Sequence, residues 1–284
     1  MRIAPFRPNL ALATAAASLL LCGAAVADNV GYPVPGQIGF QEPVTSVARD
    51  IQYLHNVILM PIITAISLIV LGLLAFVAWR FNDKANPTPS RNTHHAGLEV
   101  AWTVIPVMIL VVIAIPSFKL LTKQLVFPEA DVVIKVTGNQ WYWSYEYPKD
   151  QGGGFGFDSN LKPDEEIKPA EGDIKLLSVD NEFVVPVDKV VRMQITASNV
   201  IHSFVIPAFG IRMDAVPGRL NETWFKAEKE GMYYGQCSKL CGQNHAYMPI
   251  AVRVVSADKY AAWLGEAKKK YAFNGISRIS TAAQ

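Results

Sequence analysis

The chain has 284 residues, of which 51% are hydrophobic and 18% charged, and its formal net charge at pH 7 is only +2. So much apolar content at near-neutral charge excludes a disordered polymer and a nucleic-acid-coating protein, and predicts real buried cores. The 3 cysteines are too few for a disulfide scaffold.

At the N-terminus, Arg2 and Arg7 stand before an apolar run that closes on Ala25, Val26 and Ala27. This is the pattern a signal peptidase cuts after, so residues 1–27 read as a signal peptide and 28–55 as a periplasmic N-terminal segment. A lipobox ending at Cys22 is disfavoured by the bulky Leu21 before it. Cleavage leaves Cys237 and Cys241 as the cysteines of the mature chain.

Residues 57–79 contain no charged side chain, and a helix of that length crosses about 30 Å of hydrocarbon. The first transmembrane helix is therefore expected over 56–80. A second apolar run predicts another over 97–122, with Trp102 and Lys119 as interfacial anchors. Pro61, Pro106 and Pro116 are expected to kink these helices rather than end them. Around the loop 81–96, Arg80, Lys84 and Arg91 face Asp83 alone. The positive-inside rule puts that loop in the cytoplasm and both mature ends in the periplasm, which predicts a multi-pass protein of the bacterial inner membrane with the lipid bilayer as a partner.

From Lys123 the pattern changes to short alternating runs separated by Gly, Pro, Asn and Asp, which predicts an antiparallel sandwich or barrel over 123–255. Its aromatic strand would carry Trp141, Trp143, Tyr145 and Tyr147 on one face. The Gly-rich and acidic segment 151–173 reads as a surface excursion. A helix over Ser256–Ala272 and a disordered tail over 273–284 complete the chain.

The densest chemical signal is GQCSKLCGQNHAYMPI, which gathers Cys237, Cys241, His245 and Met248 between two strand-like runs. Thiolate, imidazole and thioether form a soft ligand set that suits copper. A single-copper loop needs one cysteine, whereas a second thiolate allows two sulfurs to bridge two copper ions, and a distant imidazole is available as His202. A small disulfide or a tetrahedral zinc site are the other readings of the pair, but neither uses Met248.

On Cys237, Cys241, His245, Met248 and His202, with GNQWYWSYEY, MDAVPGRLNETWF and LEVAWTVIP in support, the chain resembles cytochrome c oxidase subunit II of the bacterial aa3 kind, from the first membrane helix to Val255. The resemblance implies two N-terminal transmembrane helices followed by an all-β cupredoxin-like Greek-key domain. It implies copper A, two copper ions held by the five side chains and the Lys239 carbonyl, with Trp141 receiving the electron from cytochrome c. It also implies oxidase subunits I and III as partners, Asp214 and Arg219 at the subunit I interface, and Glu99 at a proton-channel entrance. Among the acids that outnumber lysines between Glu146 and Asp188, the family pattern singles out Glu146, Asp158 and Asp180 as cytochrome c contacts, and Asn199 departs from the acid often found at its position.

Lys239 is the sharpest departure. The family has a glutamate there that reaches a magnesium ion, and a protonated lysine has no lone pair to offer, so magnesium at this interface is in doubt. His55, His94 and His95 read as interfacial or loop residues without a role. The competing functions are a copper-free quinol oxidase subunit, which would lack the thiolates, and a membrane-anchored single-copper shuttle, which would need neither the paired cysteines nor Glu99. A fused cytochrome is excluded, because no Cys-x-x-Cys-His follows the copper loop.

Overall fold

The computed structural model describes residues 31–271. The signal peptide, the lipobox alternative and the tail all lie outside the described residues. Two apolar helices, a two-sheet β domain and a C-terminal helix follow one another, the fold class expected from the sequence.

Helix α1 (Ser46–Tyr53) begins at Thr45, whose hydroxyl accepts from the Ala48 N–H and so caps one of the free amides of the first turn. A π-helical turn over Leu54–Leu59 joins it to α2 (Met60–Arg80). Pro61 explains that turn, since it has no N–H to return to the preceding helix, and the Met60 N–H reaches back to the His55 carbonyl instead. Helix α3 (Ala96–Leu125) runs through both Pro106 and Pro116 without ending. Neither α2 nor α3 has a buried residue, and their exposed leucines, isoleucines and valines are the surface of helices solvated by lipid or by other membrane proteins.

One sheet has the order β3-β2-β1-β5-β8 and the other β4-β10-β9-β6-β7. Their strands are β1 (Val132–Asn139), β2 (Tyr142–Tyr147), β3 (Phe155–Ser159), β4 (Phe183–Pro186), β5 (Val190–Ala197), β6 (His202–Ile206), β7 (Ile211–Ala215), β8 (Asn221–Lys226), β9 (Gly231–Cys237) and β10 (Pro249–Val255). Alternating burial along β1 and β5 sends Ile134, Val136, Met193 and Ile195 inward against Phe204, Ile206, Tyr233 and Ile250 of the facing sheet. The sandwich is mixed rather than purely antiparallel: β1 runs parallel to β5, and β4 to β10. Long intervening connections, which parallel pairing requires, make both pairs possible.

Two local expectations are corrected. The segment 151–173 contains β3, which pairs with β2. Its Phe155 and Phe157 are buried because they stack on Tyr147, Trp263 and Tyr271, the last two from helix α4 (Ala257–Tyr271). Trp141 does not share the inner face of β2. It lies with Gln140 in the two-residue turn between β1 and β2, half-buried, while Trp143, Tyr145 and Tyr147 point into the core.

The N-terminal segment belongs to the β domain's packing. Tyr234 donates its N–H to the Gly31 carbonyl, Val44 and Glu228 bond through their backbones, and the Thr45 hydroxyl reaches the Phe209 carbonyl. Val44, Val47 and Ala48 are buried. Arg49 pairs with Glu228 and Lys123 with Asp50, so α1 is tied both to the sandwich and to α3.

Candidate metal centre

Four segments build the site. His202 opens β6, Cys237 closes β9, Cys241 and His245 sit on the connecting loop, and Met248 immediately precedes β10. Because β9 pairs with both β6 and β10, its end is fixed beside His202 on one side and Met248 on the other. Gly138 on β1 faces the His202 ring, where a Cβ would meet Cδ2, Cγ and Cβ at 2.9, 3.0 and 3.1 Å. The small residue is therefore the seat of the imidazole.

The donor atoms converge in a regular way. The two Sγ atoms are 3.9 Å apart, and both cysteines are free and buried. His202 Nδ1 lies 3.8 Å from Cys237 Sγ, and His245 Nδ1 lies 3.5 Å from Cys241 Sγ. Beyond them, the Lys239 carbonyl stands 3.3 Å from Cys237 Sγ and Met248 Sδ 3.6 Å from Cys241 Sγ. Each sulfur thus has one imidazole and one weaker donor. His202, Cys237 and Met248 are almost completely buried, whereas His245 is only half-buried.

Burial sets the protonation of the donors. Burial, then the neighbouring His245, lowers the pKa of His202 and keeps its ring neutral, as a ligand must be. Burial, reinforced by Cys237, pushes the Cys241 thiol up to about 12, so a metal has to displace the proton it binds against. The donor set fits copper: two thiols, two imidazoles and a thioether, with the hard carboxylates absent from the loop.

Trp143 and Gln140, which the sequence left without a role, complete the surroundings together with Trp141. Trp143 donates its indole N–H to the Met248 carbonyl and stands edge-on to His202, with centroids 5.9 Å apart. Gln140 Nε2 and Trp141 Nε1 both donate to the Cys241 carbonyl, at 2.9 and 3.3 Å. Trp141 therefore touches the copper loop directly. Alternation marked Trp143 as a core residue, but nothing in the sequence pointed from Gly138 or Gln140 to the site.

The other candidate residues are spread over the molecule. Glu146 and Asp158 lie on the outer face of β2 and β3, where Glu146 pairs with Lys135 at 3.1 Å and Asp158 accepts from the Ser144 hydroxyl at 2.6 Å. Asp180 spends both oxygens on Asn160. Asn199 bonds Gln140 through its amide, which brings it next to Trp141. Asp214 is on β7 opposite Ser203, and Arg219 is exposed in the turn that follows. The Lys239 side chain is exposed, on the rim of the loop. Glu99 lies far from these groups in sequence and fold, in the first turn of α3.

Known proteins resemble this chain along most of its length. The profile of "Cytochrome C oxidase subunit II, periplasmic domain" matches residues 132–255, and that of the "transmembrane domain" of the same subunit matches 33–120. The cytochrome c oxidase subunit 2 of Cereibacter sphaeroides is 47% identical over 274 residues, 90% of this chain and 90% of that protein. A probable cytochrome c oxidase subunit 2 of Rickettsia felis is 48% identical over 258 residues, 90% of this chain and 80% of that protein. A solved periplasmic domain of subunit II from Bradyrhizobium japonicum is 57% identical, covers 52% of this chain and 100% of its own, and superposes with a TM-score of 0.47.

Proposed function

The chain belongs to the cytochrome c oxidase subunit II family, and from that premise we propose that it is the electron-receiving subunit of a respiratory terminal oxidase. It is a membrane-anchored subunit of a haem-copper oxidase, with a periplasmic domain that carries a copper site. The finer assignment is a dinuclear copper centre that Cys237, Cys241, His202, His245, Met248 and the Lys239 carbonyl would hold. The carrying observation is that each Nδ1 faces a different sulfur while the sulfurs are 3.9 Å apart.

When bound, such a pair of coppers supplies a one-electron carrier whose charge is shared between two metals. The protein's own contribution is rigidity. Two strand ends, the buried Trp143 and the close seat of the His202 ring on Gly138 hold the ligands before the metal arrives, so little relaxes when charge moves. Trp141 is assigned as the residue that receives the electron from cytochrome c, because it is half-exposed and hydrogen-bonded to the Cys241 carbonyl. Glu146 and Asp158, with Asp180 beside them, are proposed to attract the basic cytochrome, although Lys135 already offsets part of the Glu146 charge.

Subunits I and III are the proposed membrane partners, with Asp214 and Arg219 at the subunit I interface and Glu99 at the proton-channel entrance on the cytoplasmic side. The proposed location is the bacterial inner membrane, crossed twice. Magnesium is proposed to lack a side-chain ligand from this chain, because the exposed Lys239 ammonium brings positive charge where a carboxylate would be needed.

The test is the electron paramagnetic resonance spectrum and copper count of the full chain loaded with copper in detergent, beside C241S. Two copper ions with hyperfine splitting shared equally between them, lost in C241S, is the expected result. A single-copper spectrum in the unsubstituted chain would favour the shuttle reading.

A further inference from the structure

The first turn of α3 carries an arrangement that the copper chemistry does not use. His95 has extended backbone, with φ −150° and ψ 97°, and its Nδ1 accepts the Leu98 N–H at 3.2 Å. In return Glu99 Oε1 accepts the His95 N–H at 3.0 Å. The His95 ring lies over Gly97, where a Cβ would sit 3.3 Å from Cε1 and 3.5 Å from Nδ1. This is a reciprocal cap in which an imidazole occupies the place usually taken by a hydroxyl or a carboxamide. The substitution matters chemically, because Nδ1 can accept only while it carries no proton.

We propose that His95 is a positioning residue for proton uptake through Glu99. In its neutral form it caps α3 and holds the Glu99 carboxylate against the His95 amide. Once protonated it loses the acceptor, sets a positive charge on the positive end of the helix, and turns from a cap into a charge partner beside the Glu99 carboxylate. The proposal rests on the reading of Glu99 as the proton-channel entrance. The other charged or titratable groups at this end of the hairpin are His94, Arg91, Lys84 and Asp83 on the loop and Arg80 on α2, whose guanidinium is directed to the Ala85 carbonyl and the Phe81 ring. Thus only Glu99 and His95 join each other through the cap.

A cap whose acceptor is lost on protonation depends on pH where a carboxamide cap does not, so turnover should differ in its pH dependence between the two. The experiment uses the assembled, purified oxidase containing the full chain, with haem and copper content checked for each variant, and measures oxygen-consuming turnover between about pH 5 and 8 for wild type, H95N, H95A and E99A. Asparagine supplies a cap acceptor that does not titrate. The wild-type rate relative to H95N should fall about threefold or more from pH 8 to pH 5, and H95A should lie between H95N and E99A at neutral pH. Superimposable pH profiles for wild type and H95N, or H95A as fast as wild type beside a slow E99A, would overturn the role of His95. A fast E99A overturns the Glu99 reading itself, an outcome distinct from a slow E99A with an unaltered H95N profile.

Discussion

A single missing methyl group decides the position of His202. With Gly138 on β1, the imidazole rests against backbone; alanine there would bring a carbon to within 3.1 Å of three ring and side-chain atoms that have no free space behind them. G138A is therefore expected to fold, since the strand tolerates alanine, yet to displace the ring and lower both the copper content and the copper-copper coupling. Metal analysis with the paramagnetic resonance spectrum checks this against an unchanged far-ultraviolet dichroism spectrum. At this scale the candidate donors were legible, because Cys237, Cys241, His245 and Met248 stand within twelve residues of one another and their chemistry is specific. Gly138 and Gln140 were not, since their roles arise from β1 lying beside β6 and the copper loop in space, a proximity that no local pattern records.

Among the elements, β3 shows where local reading stops. Its glycines and neighbouring acids look like loop, and its only strand signal is a pair of phenylalanines two residues apart. What makes it a strand is the surface offered by β2 on one side and by α4 above, where Tyr147, Trp263 and Tyr271 enclose Phe155 and Phe157. The turn holding Trp141 was missed for a related reason: an unbroken aromatic alternation hid a two-residue hairpin in its first member. If α4 is the cover of β3, W263A should destabilise the β domain by about 2 kcal/mol, below the 3–5 kcal/mol of a fully buried tryptophan because Trp263 is only partly enclosed. Denaturant unfolding of the detergent-solubilised chain measures it, and hydrogen exchange should rise first in 155–159. The helices, by contrast, were legible from apolar length alone, since lipid demands that every backbone group be bonded within the segment.

For the whole molecule, the N-terminal segment is the part whose importance could not be read in advance. Its sequence reads as a linker, yet its backbone bonds to Tyr234, Ala208 and Glu228 of the sandwich and it is tied by Arg49 to Glu228. The hydrogen bond from Arg49, then its charge, holds the Glu228 carboxyl below its ordinary value of 4.5. The folded protein thus prefers the charged form: the tie is complete above about pH 4.5 and is lost as pH falls through the lowered value. The protection of amides in 31–53, taken relative to their intrinsic exchange rate at each pH, should accordingly fall on acidification below that point, and E228Q should show the lower protection already at pH 7. The pair is partly exposed, so global stability should change little.

That same bracing has a consequence for how the copper domain can move. A domain hung on one flexible linker can swing, collect cargo at one place and deliver it at another. Here the chain crosses between membrane and sandwich at α1 and again after α3, and the Lys123–Asp50 pair joins the two crossings at their base. Two crossings restrict rotation more than one flexible linker would, so the β domain is held to the membrane helices at two points. A domain held in this way suits the proposed electron-receiving role, in which the donor comes to the site, better than that of a carrier that travels with its cargo.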